Sequence, residues 1–215
     1  MKKYSVIYAD PPWSFRVWSE DTGSGRSAAS HYPTLDLEAL KALPVESIAA
    51  DDATLFLWGC NSMLPEALEV VKAWGFEFKT IAFTWVKTNK KATDTVFWGM
   101  GYWTRQNSEF CILATRGKPK RDSKGVHSVF WDHEAGEDVA LDPSMGMPEA
   151  LVCPVMRHSA KPPEARERIE ELMGPDNTFV ELFARPSEGI HSCWDLVGNE
   201  IDGQDIRDAL LKLAQ

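Results

Sequence analysis

Short apolar runs rich in β-branched and aromatic residues recur along this chain, and segments of helical periodicity separate them. YSVIYA (4–9), ATLFLWG (53–59), FKTIAFTWVK (78–87), EFCILATRG (109–117), TFVELFA (178–184) and CWDLVG (193–198) read as strands. Between and after them come TLDLEALKAL, with Asp36 or Thr34 as N-cap, and MLPEALEVVKAWG, with Pro65 near its start and Gly75 at its end. PPEARERIEELMG, closed by Gly174, and DIRDALLKLAQ complete the set. Continuous apolar strands alternating with helices require a mostly parallel sheet covered on both faces, a Rossmann-like α/β architecture. A chain of 215 residues can bury such a core as one domain, 1–215. Residues 118–150 lose periodicity and turn polar, which predicts a loop or insertion there.

The first strand ends in Asp10-Pro11-Pro12-Trp13. In an open α/β sheet ligands bind at the carboxyl ends of strands. The two prolines fix φ and carry no N–H, so their carbonyls remain as acceptors on a stiff frame. Asp10 adds a carboxylate, and Trp13 offers a flat face for stacking. Two acceptors beside a platform suit a planar group bearing an NH₂, such as the exocyclic amine of a nucleobase.

ADPPW resembles the catalytic motif of the adenine-N6 methyltransferases related to the catalytic subunit of the eukaryotic messenger-RNA adenosine methyltransferase, in a bacterial or phage-type member. The likeness extends through LFLWGCNSMLPEALEVVKAWGFEFKTIAFTWVKTNK, GYWTRQNSEFCILATRGKP, RHSAKPPEARERIEEL, VELFARP and WDLVGNEID, nearly the whole chain. It implies an S-adenosylmethionine-dependent methyltransferase fold with the permuted motif order of that class. It implies Asp10, Pro11, Pro12 and Trp13 as catalytic residues, and Lys161 at the active site and near the cofactor's carboxylate. Glu109 matches an acid lining the substrate pocket. Glu181, Phe183, Arg185, Ser187 and Glu188 lie in and after the VELFA strand, where the family holds the cofactor, but Ala184, Ser187 and Glu188 depart from the Gly, His and Asn of the eukaryotic enzyme; Asn199 and Glu200 after WDLVG match its adenine-side contacts. The family's upstream cofactor-contacting Asp-Ile segment has no counterpart before Tyr4, so Asp205 and Ile206 are the candidate replacement.

Net charge is −9, which argues against indiscriminate nucleic-acid binding. The charge is uneven: Trp85 to Lys124 holds nine Lys or Arg against three acids. Arg116 and Lys118, near the end of the EFCILATRG strand, are the expected contacts for a nucleic-acid backbone, and Tyr32 is a candidate substrate contact in the loop after DPPW. The expected partner is nucleic acid, DNA ahead of RNA, and the resemblance allows a homodimer. A cytosine-N4 methyltransferase would share the Asp-Pro-Pro logic, and a silent nucleic-acid-binding subunit would lack it. Cys60, Cys111, Cys153 and Cys193 form no CxxC pair, so the expectation is no metal and reduced, mostly buried thiols. No apolar run has membrane-spanning length, and Asp10 interrupts the N-terminal run too early for a signal peptide, which together suggest a cytoplasmic protein.

Overall fold

The structure is a computed structural model that describes residues 2–14, 34–89, 92–99, 103–128, 130–131, 151–154, 161–186 and 193–215. Its strands are β1 (Tyr4–Ala9), β2 (Ala49–Cys60), β3 (Glu77–Asn89), β4 (Ala92–Val96), β5 (Glu109–Arg116), β6 (Phe130–Trp131), β7 (Leu151–Pro154), β8 (Phe179–Leu182) and β9 (Trp194–Val197). The helices are α1 (Leu37–Lys41), α2 (Leu64–Ala73), α3 (Glu164–Met173), α4 (Asn199–Asp202) and α5 (Ile206–Leu213).

The described strands form one sheet in the order β6-β7-β3-β5-β2-β1-β8-β9, with β4 paired to β3. β1, β2, β8 and β9 run parallel, as do β3, β6 and β7, while β5 is antiparallel to both its neighbours. The mostly parallel α/β sheet expected from the sequence is therefore present. Strands β4, β6 and β7 were not anticipated. β6 lies inside the segment read as loop, and β7 pairs with β3 across some sixty residues of intervening sequence.

Alternate side chains of each strand go to opposite faces. Ile7, Ala9, Leu55, Leu57, Ile112 and Val180 pack on one face with α1, α2 and α5, through Leu40, Val70, Val71 and Leu210. Val6, Tyr8, Phe56, Trp58, Trp85 and Phe179 pack on the other with Ala165, Ile169 and Met173 of α3. The large aromatics are buried with their polar ends satisfied. Trp74 donates its indole N–H to the Leu40 carbonyl at 2.8 Å, and Trp58 donates to the Tyr8 hydroxyl at 2.7 Å. Leaving such a donor unpaired would cost about 1–3 kcal/mol.

Local chemistry sets the helix ends. Asp36 caps α1, its carboxylate accepting from the Ala39 N–H at 2.7 Å. Gly174 closes α3 at φ +80, a conformation a side chain would strain. Among the described residues no helix is long and apolar enough to cross a membrane. Of the described cysteine side chains only Cys111 is fully buried, whereas Cys60 is half-buried and Cys193 exposed, so the thiols are less buried than expected.

Candidate active site

Parallel register brings three strand ends into one row. Ala9 pairs with Leu182, and Leu182 with Val197, so Asp10, Phe183 and Gly198 are the first residues beyond the sheet. A Cβ on Gly198 would collide with the Ala184 carbonyl, which explains the glycine at this crossing. Phe183 sits at φ +61, a strained conformation for a phenylalanine at the carboxyl edge.

Asp10 follows β1 at the level of Trp58, since Ala9 is paired with Leu57. The Lys161 ammonium lies 2.7 Å from Asp10 Oδ2 and 3.3 Å from Glu109 Oε2. It also stands 5.7 Å from the centre of the Trp58 ring. Glu109 reaches this place because β5 is antiparallel: its first residue, Glu109, pairs with Cys60 at the carboxyl end of β2. On its other side Glu109 Oε1 accepts from the Lys87 ammonium at 2.5 Å. Lys87 lies 4.9 Å over the Trp85 ring. Lys161 enters from the face of α3, just ahead of Pro162 and Pro163, which start that helix.

The result is a string of alternating charge, Asp10, Lys161, Glu109, Lys87, on a floor of tryptophans. Burial opposes the Lys161 charge, but Asp10 and Glu109 outweigh it and hold the ammonium firmly protonated. Burial also pushes Glu109 up, but Lys161 and Lys87 outweigh it and keep its carboxyl below the usual range. At Asp10 burial wins over Lys161, so its carboxyl is the more basic of the two. Tyr8, directly beneath through Trp58, has its phenol pushed well above its ordinary value by burial.

The candidates taken from the sequence divide clearly. Asp10, Lys161 and Glu109 come together. Arg185 follows β8 and pairs with Glu200 at 3.2 Å, and Asn199 begins α4 just past β9. Both strand ends adjoin Asp10. The Pro11 carbonyl accepts from the Trp13 N–H at 2.9 Å and the Pro12 carbonyl from Leu35 at 3.0 Å. Each keeps a second lone pair. Trp13 is not a stacking platform: it is 6% exposed, belongs to the core, and donates its indole N–H to the Trp58 carbonyl at 3.0 Å. Glu181 is likewise turned inward, 6% exposed, with both oxygens taken by Arg166 of α3 at 2.6 and 2.9 Å. Arg116 and Lys118 lie at the wrong end of the sheet. The antiparallel course of β5 carries Arg116 opposite Ala53 at the start of β2, where it pairs with Glu46, and the Lys118 backbone N–H donates to the Asp52 carboxylate there. Asp205 caps α5 by accepting from the Arg207 N–H at 2.8 Å, and Ile206 is buried in the core. Tyr32, Ser187 and Glu188 lie outside the described residues. Lys87 was missed. Its signal was a lysine inside the apolar strand IAFTWVK, a costly place unless a partner waits.

The family profile described as MT-A70 matches residues 4–200. The chain belongs to the MT-A70 family. This MT-A70 chain is 31% identical over 221 residues to the type II methyltransferase M.MunI of Mycoplasma sp, covering 95% of the chain and 81% of that protein. It is 25% identical over 210 residues to a putative N(6)-adenosine-methyltransferase MT-A70-like of Medicago truncatula, covering 98% of the chain and 28% of that protein. It is also 25% identical over 203 residues to the N(6)-adenine-specific methyltransferase METTL4 of Mus musculus, covering 93% and 38%. The protein is thus an adenine methyltransferase of the MT-A70 family that uses S-adenosylmethionine as methyl donor. The donor set at the edge fits that cofactor: charges of both signs at Asp10 and Lys161 answer a zwitterionic amino acid, and Arg185, Asn199 and Glu200 offer donors and acceptors to a nucleoside.

Proposed function

We propose that this protein methylates the exocyclic N6 of adenine in nucleic acid, DNA in preference to RNA. The observation that carries the reading is Asp10, a carboxylate fixed beyond β1 by Lys161 at 2.7 Å and followed by two rigid prolines. The DNA preference is supported by similarity to the compact type II methyltransferase M.MunI along most of both chains.

The amino nitrogen of adenine is a weak nucleophile because its lone pair is delocalised into the ring. S-adenosylmethionine, when bound, supplies an electrophilic methyl group on a sulfonium. Asp10 and the Pro11 carbonyl accept hydrogen bonds from the two amino hydrogens. That draws the nitrogen towards a tetrahedral shape and localises the lone pair for attack. The help grows as positive charge develops on nitrogen, so it stabilises the transition state more than the bound substrate. Lys161 orients Asp10 and favours its ionised form against burial, and Glu109 anchors Lys161 from the other side. Asn199, Glu200 and Arg185 serve the cofactor's nucleoside at the ends of β8 and β9. The target base must be extruded from a duplex or presented in a single strand to reach Asp10.

Purified protein incubated with labelled S-adenosylmethionine and matched single- and double-stranded DNA and RNA oligonucleotides tests this reading, with the modified nucleoside identified by mass spectrometry. N6-methyladenine in DNA is the expected product. Label on cytosine N4, or on RNA alone, would overturn it.

A further inference from the structure

On the side of the site away from Asp10, the chain between β3 and β5 exposes aromatic side chains. Trp103 is 91% exposed and Trp98 63%, while Trp58, Trp74 and Trp85 are fully buried. Tryptophans this open on a folded surface are unusual and point to a binding role.

The base of this segment is fixed to the active site. Asn107 accepts from the Lys87 N–H at 3.0 Å and donates to the Lys87 carbonyl at 2.7 Å and to the Phe97 carbonyl. The Phe97 N–H returns to the Lys87 carbonyl at 2.9 Å, and the Gly99 N–H to the Gln106 carbonyl at 2.8 Å. Asn107 thus stitches both limbs to Lys87, whose ammonium holds Glu109. Trp98 and Trp103 are each anchored within a few residues of a backbone that touches the Glu109–Lys161–Asp10 string.

We propose that Trp98 and Trp103 form the stacking surface for the nucleotides that flank the methylated base, with Arg105, two residues after Trp103 in the chain, for the backbone phosphate. This rests on the reading of the site as a nucleic-acid methyltransferase. The chemistry favours a nucleic acid over a protein partner. Indole faces stack on any base, and the exposed Val96 and Phe97 beside Trp98 leave the choice of partner to the charge of the segment. Residues 88–108 carry Lys90, Lys91 and Arg105 against Asp94 alone, on a chain of net charge −9, so the local charge suits a polyanion. The position also fits: a base held at Asp10 must be followed by its neighbours along the strand, and the stitched segment borders the Glu109 side of the cleft. A stacking surface of this kind reads strand and flexibility more than sequence.

The test uses the full chain and a fluorescently labelled single-stranded DNA oligonucleotide, with binding read by anisotropy in the absence of cofactor. Trp103→Ala and Trp98→Ala should each weaken binding about tenfold, and Trp103→Phe should retain most of it. In turnover the larger part of the loss should fall on KM for the oligonucleotide. Both side chains are exposed, so the variants keep their fold, which circular dichroism checks. Unaltered oligonucleotide binding in the Trp98→Ala/Trp103→Ala double variant overturns the proposal. So does a fall in molar mass by light scattering with binding intact, which would make this surface a contact between protein chains. Because binding is read without methyl transfer, an inactive wild type would refute the methylation reading while leaving this result separate.

Discussion

Lys161 Nζ lies 2.7 Å from Asp10 Oδ2 although 151 residues separate them. Asp10 comes from the end of the first strand, and Lys161 from the turn before the helix that covers that strand's face. Glu109 completes the arrangement from a strand that runs the opposite way. The carboxylate proposed to act on the amine is therefore oriented by a lysine that is itself held by a second carboxylate, and the lysine's charge opposes the rise that burial imposes on it.

Lys161→Met should lower methyl transfer at neutral pH by about 10- to 100-fold, the scale of a lost charge-assisted contact. Asp10 must be ionised to accept from the amine. Burial raises its pKa and the Lys161 ammonium lowers it, so removing the ammonium raises it further. The acidic limb of the pH–rate profile should accordingly move to higher pH. A variant with an unmoved acidic limb would refute the role assigned to Lys161.

Arg166→Met should destabilise the protein by on the order of 3 kcal/mol, because it leaves Glu181 charged and unpaired beneath the site. For a chain of this size that is a fall of roughly 6–12 °C in Tm. Burial raises the Glu181 carboxyl above its unfolded value even with Arg166 in place, and more without it. The variant's deficit should therefore be largest at neutral pH and shrink on acidification, as the folded state takes up the proton. Arg166→Met/Glu181→Leu should recover much of the loss. Equal stability of Arg166→Met and wild type across pH would contradict the assignment of Glu181 to the framework.

Arg116→Ala/Lys118→Ala/Lys120→Ala/Arg121→Ala should leave the salt dependence of oligonucleotide binding unchanged. Arg116 stands roughly 24 Å along β5 from Glu109, at the opposite edge of the sheet. The Asp122 N–H bonds the Leu172 carbonyl at the far end of α3, which places the following turn there too. The pair of Arg116 with Glu46 is half open to solvent and worth less than about 1 kcal/mol. A slope reduced by ~0.7–0.9 per lost contact would show that this edge binds phosphate after all.

Much of this arrangement is legible in the sequence. The strands YSVIYA, ATLFLWG and EFCILATRG, the cap at Asp36 and the stop at Gly174 follow from local patterns. Asp10 stands out because an acid and two prolines end a buried strand. Strand direction is a different matter. An apolar run reads the same whichever way it enters the sheet, so the antiparallel course of β5 was hidden, and Arg116 and Lys118 were placed beside a cleft that holds Glu109 instead. Trp13 was misjudged for a related reason: only the tertiary structure shows that the Trp58 carbonyl waits inside for its indole N–H. Lys87 becomes part of the site only through pairing of β3 with β5. β7 escaped notice because residues 118–150 carry no periodicity to announce a strand beyond them.

Single-turnover methyl transfer by Asp10→Asn tests the central claim most directly. The amide keeps the shape of the carboxylate but loses its charge, and it can turn an NH₂ donor towards the amine. Transfer to adenine from S-adenosylmethionine should fall by at least ~10²-fold, comparable with losing one oxyanion-type contact. Cofactor affinity, read by calorimetric titration of the same variant, should fall much less than transfer, because Lys161, Arg185, Asn199 and Glu200 still offer their groups to the cofactor. Near-normal transfer by Asp10→Asn would contradict the assignment of Asp10 as the acceptor that activates the amine.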